Sequence, residues 1–146
     1  MPAPAALITQ CLQNDFVAPV GRYDALPNLL HIGFEEARRL MGEIPDEGPV
    51  ARVMRWAQQQ TDDQLKLVHI RDWHDATDSS QQQHLKQFGA HCIKGTRGAA
   101  FAFSESGESR KAVTIVQIQS VVELPHGCRE LPDEAPLPLR EPPDWQ

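Results

Sequence analysis

Three short apolar runs set the terms on which this chain can fold. They are Ala5-Ala6-Leu7-Ile8-Thr9-Gln10-Cys11-Leu12, Leu65-Lys66-Leu67-Val68-His69-Ile70-Arg71 and Ala112-Val113-Thr114-Ile115-Val116-Gln117-Ile118. Each is brief, rich in Leu or β-branched residues and bounded by polar sequence, which is the pattern of a buried strand. The long segment between the first two runs carries helical patterning. Pro49 suits a first helical position. Val50, Val53, Met54 and Ala57 then recur at the spacing of one apolar helix face, which continues through Gln60. An earlier helix is expected over Leu29 to Met41, where Glu35 and Glu36 precede Arg38 and Arg39. Strand, helix and strand in this order predict a crossover connection and a parallel sheet, hence an α/β fold. In such a sheet ligands bind beyond the carboxyl ends of the strands. That rule directs attention to the residues that follow Leu12, Arg71 and Ile118.

The last part of the chain reads differently. Of the twelve prolines among 146 residues, six lie between Pro125 and Pro143. Proline removes backbone donors and fixes φ, so no central strand or helix interior is expected there. The organisation predicted is an α/β domain over 1–120 and a Pro-rich tail over 121–146, extended or disordered. Fourteen Lys+Arg against twenty Asp+Glu give a net charge of -6, the wrong sign for neutralising phosphates, so nucleic acid is not an expected partner. No stretch approaches the roughly eighteen apolar residues of a membrane span, so no membrane partner is expected. Three cysteines with no CxxC spacing argue against a disulfide framework. A reducing, cytoplasmic setting is the expectation.

The residues after the second run carry the strongest chemical signal. In Arg71-Asp72-Trp73-His74, Asp72 and His74 are two apart and point the same way in extended backbone. His91 follows within His91-Cys92-Ile93-Lys94-Gly95-Thr96. A carboxylate and two imidazoles suit zinc, iron or manganese, with positions left open for water or substrate. On spacing alone the signal is modest, and the plainer reading of the same residues is a turn cap at Asp72 and hydrogen-bonded or surface histidines. Gly95-Thr96-Arg97-Gly98 lacks a phosphate-loop pattern and reads as a turn. Trp73 and Phe16 can each line a substrate pocket or close the edge of the core. Arg22 and Tyr23 have only their loop placement to suggest ligand contact.

Three segments together resemble one family. Ala6-Leu7-Ile8-Thr9-Gln10-Cys11-Leu12-Gln13-Asn14-Asp15-Phe16 looks like the opening strand and loop of the isochorismatase-like cysteine hydrolases. Arg71-Asp72-Trp73-His74 looks like the second-strand motif of the nicotinamidase-type members. The run from His91 to Phe101 resembles the loop that follows. The resemblance covers about residues 5–120. It implies a three-layer αβα sandwich around a parallel sheet. It implies hydrolysis of a C–N bond in a small amide or carbamoyl compound, by a cysteine nucleophile, an aspartate that takes its proton and a nearby lysine. It places a divalent metal at Asp72, His74 and His91, with no organic cofactor.

The departures from that pattern concern the chemistry itself. Cys11 stands where the family has its aspartate, and a thiol is a poorer base than a carboxylate. Asp15, four residues on, is a substitute base only if its loop returns it to the site; otherwise it is a turn residue. Gln117 or Gln119 lies near the family lysine position, and neither carries charge. Lys111 precedes the strand, where a surface place is expected. The family nucleophile follows a further strand. Cys128, beside His126 and flanked by Pro125 and Pro132, is in no such setting, and Cys92 reads as a packing residue. Family-like sequence ends at Gln117-Ile118-Gln119-Ser120. The stretch after it is what a shifted reading frame of GC-rich coding sequence produces, so an amino-terminal portion of a longer hydrolase is expected; a short degenerate paralogue is the other reading. The expected function is therefore a cysteine hydrolase of small amides, impaired as this chain. The alternative is a noncatalytic metal- or ligand-binding module completed by association. An open sheet edge favours a homo-oligomer.

Overall fold

The computed structural model describes residues 4–104 and 112–119. The tail from 121, with His126 and Cys128, and Lys111 lie outside the described residues. Three strands form one parallel sheet in the order β1 (Ala5–Gln10), β2 (Leu65–Asp72), β3 (Val113–Ile118). Ala5 pairs with Leu65 and Gln10 with Ile70, while Leu67 pairs with Val113 and Asp72 with Ile118. All three carboxyl ends therefore lie along one edge. Among the described residues four α-helices accompany the sheet, α1 (Asn14–Val17), α2 (Phe34–Met41), α3 (Pro49–Gln59) and α4 (Gln82–Phe88), with a 3-10 turn (Ser79–Gln81) leading into α4. This is the parallel α/β architecture that the apolar runs predict.

The element boundaries differ from the sequence reading for local reasons. β1 stops at Gln10 because Cys11 turns into the left-handed region, at φ 54°. α2 begins at Phe34, not near Leu29. Gly33 at φ 86° and an N–H bonded to His31 Nδ1 (3.0 Å) set the break, and Leu29 is left exposed. In α3 Pro49 does occupy the first turn, but the buried face is Val50, Ala51, Met54 and Ala57. Val53, one helical step round, is 44% exposed.

Alternation along β2 decides where the core sits. Leu65, Leu67 and His69 are buried, and the intervening Lys66 is exposed. Leu65 and Leu67 pack in one cluster with Val50, Met54 and Ala57 of α3, Met41 of α2, Phe16, Val17 and Phe103. His69 is held by Thr9 Oγ1 at 2.6 Å and faces the rings of Phe101 and Phe103 at 5.1 and 5.2 Å. On the alternate face Ile8 is 59% exposed, and β3 is exposed along its whole length, Val113 and Ile115 as well as Val116 and Ile118.

Candidate metal centre

Beyond the carboxyl edge the chain makes two returns that build a site. One follows β1. Gln13 is fully buried, and its side chain joins three segments. Its Nε2 donates to the carbonyls of Asp72 (2.7 Å) and Ala99 (2.8 Å), and its Oε1 accepts the Asp72 N–H (2.8 Å). The other return is the loop of residues 91–101. Asp15 Oδ2 accepts the Cys92 N–H at 2.7 Å, and the Asp15 N–H donates to the Gly98 carbonyl at 3.0 Å. A Cβ at Gly98 would lie 2.2 Å from that carboxylate, so only glycine lets the loop close on Asp15. His74 pairs with Ile93 as an isolated bridge, with its N–H on the Cys92 carbonyl at 3.0 Å.

These returns bring His74 and His91 to Asp72. Asp72 Oδ2 lies 3.6 Å from His74 Nε2 and 3.7 Å from His91 Nε2. A third imidazole, His84 of α4, completes the group. One ring nitrogen from each of His74, His84 and His91 falls within 4.8 Å of the others. The rings pack at centroid separations of 4.7 Å (His74–His91), 4.9 Å (His74–His84) and 5.4 Å (His84–His91). His84 is absent from the spacing argument because its position depends on α4. Its signal in the sequence is a third histidine between His74 and His91, in a chain with six.

The electrostatics follow from this packing. Burial works to raise the Asp72 pKa, but His91 and His74 outweigh it and hold the carboxyl below its ordinary value. The hydrogen bond to Asp72 raises His91, against burial. Burial lowers His84, and the neighbouring His74 and His91 lower it further.

The donors fit a divalent ion. His74 Nε2 and His84 Nε2 are buried without a hydrogen-bond partner, a costly state for a polar atom unless something binds there. His74 Nδ1 is 2.7 Å from the Gln119 carbonyl and 3.2 Å from Gln81 Oε1, and His91 Nδ1 is 2.7 Å from the Gly89 carbonyl. A carbonyl only accepts, so both Nδ1 atoms donate to theirs; in the neutral ring this leaves Nε2 as the lone pair facing Asp72, and in the protonated ring Nε2 donates to that carboxylate. Ligand atoms on one such ion stand about 3–3.5 Å apart, given bonds of about 2.0–2.2 Å. The two Asp72 separations approach that spacing.

The other candidate residues are placed as follows. Cys11 Sγ lies 3.8 Å from Asp72 Oδ1. Burial, then the Asp72 carboxylate, push its thiol up to about 11. Asp15 is tied to the 91–101 loop and holds it in place. Gln117 is exposed on β3, opposite Arg71. Phe16 is buried, its ring 5.8 Å from that of His91, so it backs the centre from the core side. Trp73 turns away from the histidines and stacks with Arg71. Cys92 is buried in the core cluster, and burial followed by Asp15 drives its thiol pKa far up. Lys94 pairs with Asp75 at the surface. Arg22 pairs with Glu35 at 3.1 Å, and Tyr23 is exposed.

Two solved structures are similar to this chain in overall fold. One is nicotinamidase/pyrazinamidase from Bacillus subtilis, with a TM-score of 0.50 and 22% identity over 80% of this chain and 56% of that one. The chain has a nicotinamidase-type fold. It is the fold that the isochorismatase-like resemblance implies. The other is an isochorismatase-like hydrolase from Alkaliphilus metalliredigens, with a TM-score of 0.49 and 25% identity over 80% of this chain and 53% of that one. The chain thus spans about half the length of the solved structures it matches. No family model matches it, and no curated protein sequence matches it significantly. Among the described residues of this nicotinamidase-type fold, no helix is long and apolar enough to cross a membrane.

Proposed function

We propose that this chain binds one divalent metal ion through Asp72, His74 and His91, joined by His84, within a fold used by small-amide hydrolases. One observation carries the reading: His74 Nε2 and His84 Nε2, two buried imidazole nitrogens without hydrogen-bond partners, belong to one cluster with His91, and His74 and His91 both face the Asp72 carboxylate. Zinc, iron and manganese all suit such donors. When bound, the ion supplies a Lewis-acid position at which a small ligand's nitrogen or oxygen is held and oriented. Gln119 and Gly89 fix the ring orientations from behind through their carbonyls. The substrate class proposed is a small amide or carbamoyl compound, hydrolysed at its C–N bond.

Hydrolysis through a cysteine needs a thiolate at working pH. Among the described residues Cys11, with its thiol near 11, and the deeply buried Cys92 do not supply one. This favours a second reading, in which the chain holds metal and ligand without turnover and is completed by association.

Metal content after zinc loading and dialysis tests the first claim. One equivalent is expected in the wild type. Asp72→Ala and His74→Ala are each expected to weaken binding at least tenfold. Unchanged zinc in both variants contradicts the assignment. Amide hydrolysis separates the two readings. Turnover abolished by thiol alkylation supports the hydrolase, and metal binding without turnover supports the noncatalytic module. Turnover that survives both Cys11→Ala and Cys128→Ala excludes a cysteine mechanism built on either residue.

A further inference from the structure

A second site adjoins the same strand end. Arg71 alternates with Asp72 along β2, so their side chains leave the strand on opposite faces. The Arg71 guanidinium sits over Trp73, its Cζ 3.9 Å from the ring centroid, with Phe101 at 5.6 Å. Phe101 in turn stacks on Phe103, at 5.1 Å and 19°. Arg71, Trp73, Phe101 and Phe103, with Gly95 and Thr96 of the 91–101 loop, line a cleft of about 400 Å³. That volume is within the ordinary range for small-molecule sites, about 300–1,000 Å³.

The charge balance of this cleft is unusual for the chain. The protein carries a net -6, yet among the described residues no acidic side chain lines the cleft. Among the described residues no carboxylate pairs with Arg71, and its Nε is buried without a hydrogen-bond partner. An arginine in an ordinary structural role has an acceptor for that atom. Here the guanidinium is covered by the Trp73 ring, and among the described residues its Nε has no acceptor. A guanidinium edge matches the two oxygens of a carboxylate, and three aromatic side chains supply walls for a planar apolar body. We propose that the Arg71–Trp73–Phe101 cleft binds a small planar aromatic carboxylate, its anion on the Arg71 edge and its ring along the aromatic walls. Binding here needs no metal, so the proposal stands or falls separately from the metal centre.

The test is an NMR titration of the metal-stripped, ¹⁵N-labelled chain with benzoate, and with benzamide as the uncharged control. Benzoate is expected to shift the Arg71 Nε–H and Trp73 indole N–H signals saturably. Benzamide is expected to bind at least tenfold more weakly. Arg71→Met should abolish the saturable response. Arg71→Lys keeps the charge but loses the flat fork, and should weaken binding about tenfold. The Arg71→Lys spectrum also assigns the Nε–H signal, so the titration remains decisive if Arg71→Met does not fold. Equal binding of benzamide, shifts confined to His74, His84 and His91, or no saturable shift with the wild type would each overturn the proposal.

Discussion

Cys11 shows how one side chain limits the chemistry of this site. It ends β1 in a left-handed conformation and brings its Sγ to 3.8 Å from Asp72. Burial and the facing carboxylate both penalise a thiolate there, so the proton stays on sulfur to about pH 11. Alkylation by iodoacetamide should therefore be slow at pH 7, well behind a model thiol, and accelerate as the pH approaches 11. Mass mapping of the labelled cysteine checks this; rapid labelling of Cys11 at neutral pH would contradict it. The sign for stability follows from linkage. The unfolded thiol ionises near 9.0 and the folded one near 11. The folded state thus binds the extra proton between these values. This contribution is fully present below pH 9 and is lost as pH rises through 11, and replacing Cys11 with Ala should remove that part of the alkaline loss.

At the scale of elements, Gln13 ties the β1 return, the end of β2 and the 91–101 loop together with three hydrogen bonds. Gln13→Ala leaves the Ala99 carbonyl and the Asp72 backbone groups without these partners, at a cost of about 3 kcal/mol. Urea unfolding measures this, and a loss below about 0.5 kcal/mol would contradict the role. The periodicity of the chain made the elements themselves legible: three apolar runs became three parallel strands, and Pro49 began its helix. The ends were less so. Gly33 and Cys11 stop their elements by backbone conformation, a property no apolar period records. Within the site, Asp72, His74 and His91 stand together in the sequence motifs. His84 reaches them only because α4 folds over the centre, and the tie from Asp15 to Cys92 spans 77 positions. Contacts of that range follow from tertiary packing, so local spacing could not show them.

For the molecule as a whole, the sheet is unevenly covered. β1 and β2 are covered on the Leu65–Leu67 side, whereas β3 is exposed on both; Ile8, Val116 and Ile118 lie on one face by the register of the strands, Val113 and Ile115 on the other, and all five are exposed. Exposed apolar surface of this kind promotes association. The double variant Ile8→Thr, Val116→Thr keeps β-branching, and should lower both binding of the dye ANS and concentration-dependent association in sedimentation runs. Unchanged association would mean that this face takes no part in it. The same variant should keep its full metal content, because neither residue touches the histidine cluster. That cluster is the centre of the account. The most direct measurement is a cobalt(II) titration of the metal-free chain followed by d–d absorption. The account predicts saturation at one equivalent, with imidazole-type bands lost in His74→Ala and weakened in His84→Ala. Absence of saturable absorption, or an equal signal in His74→Ala, would contradict it.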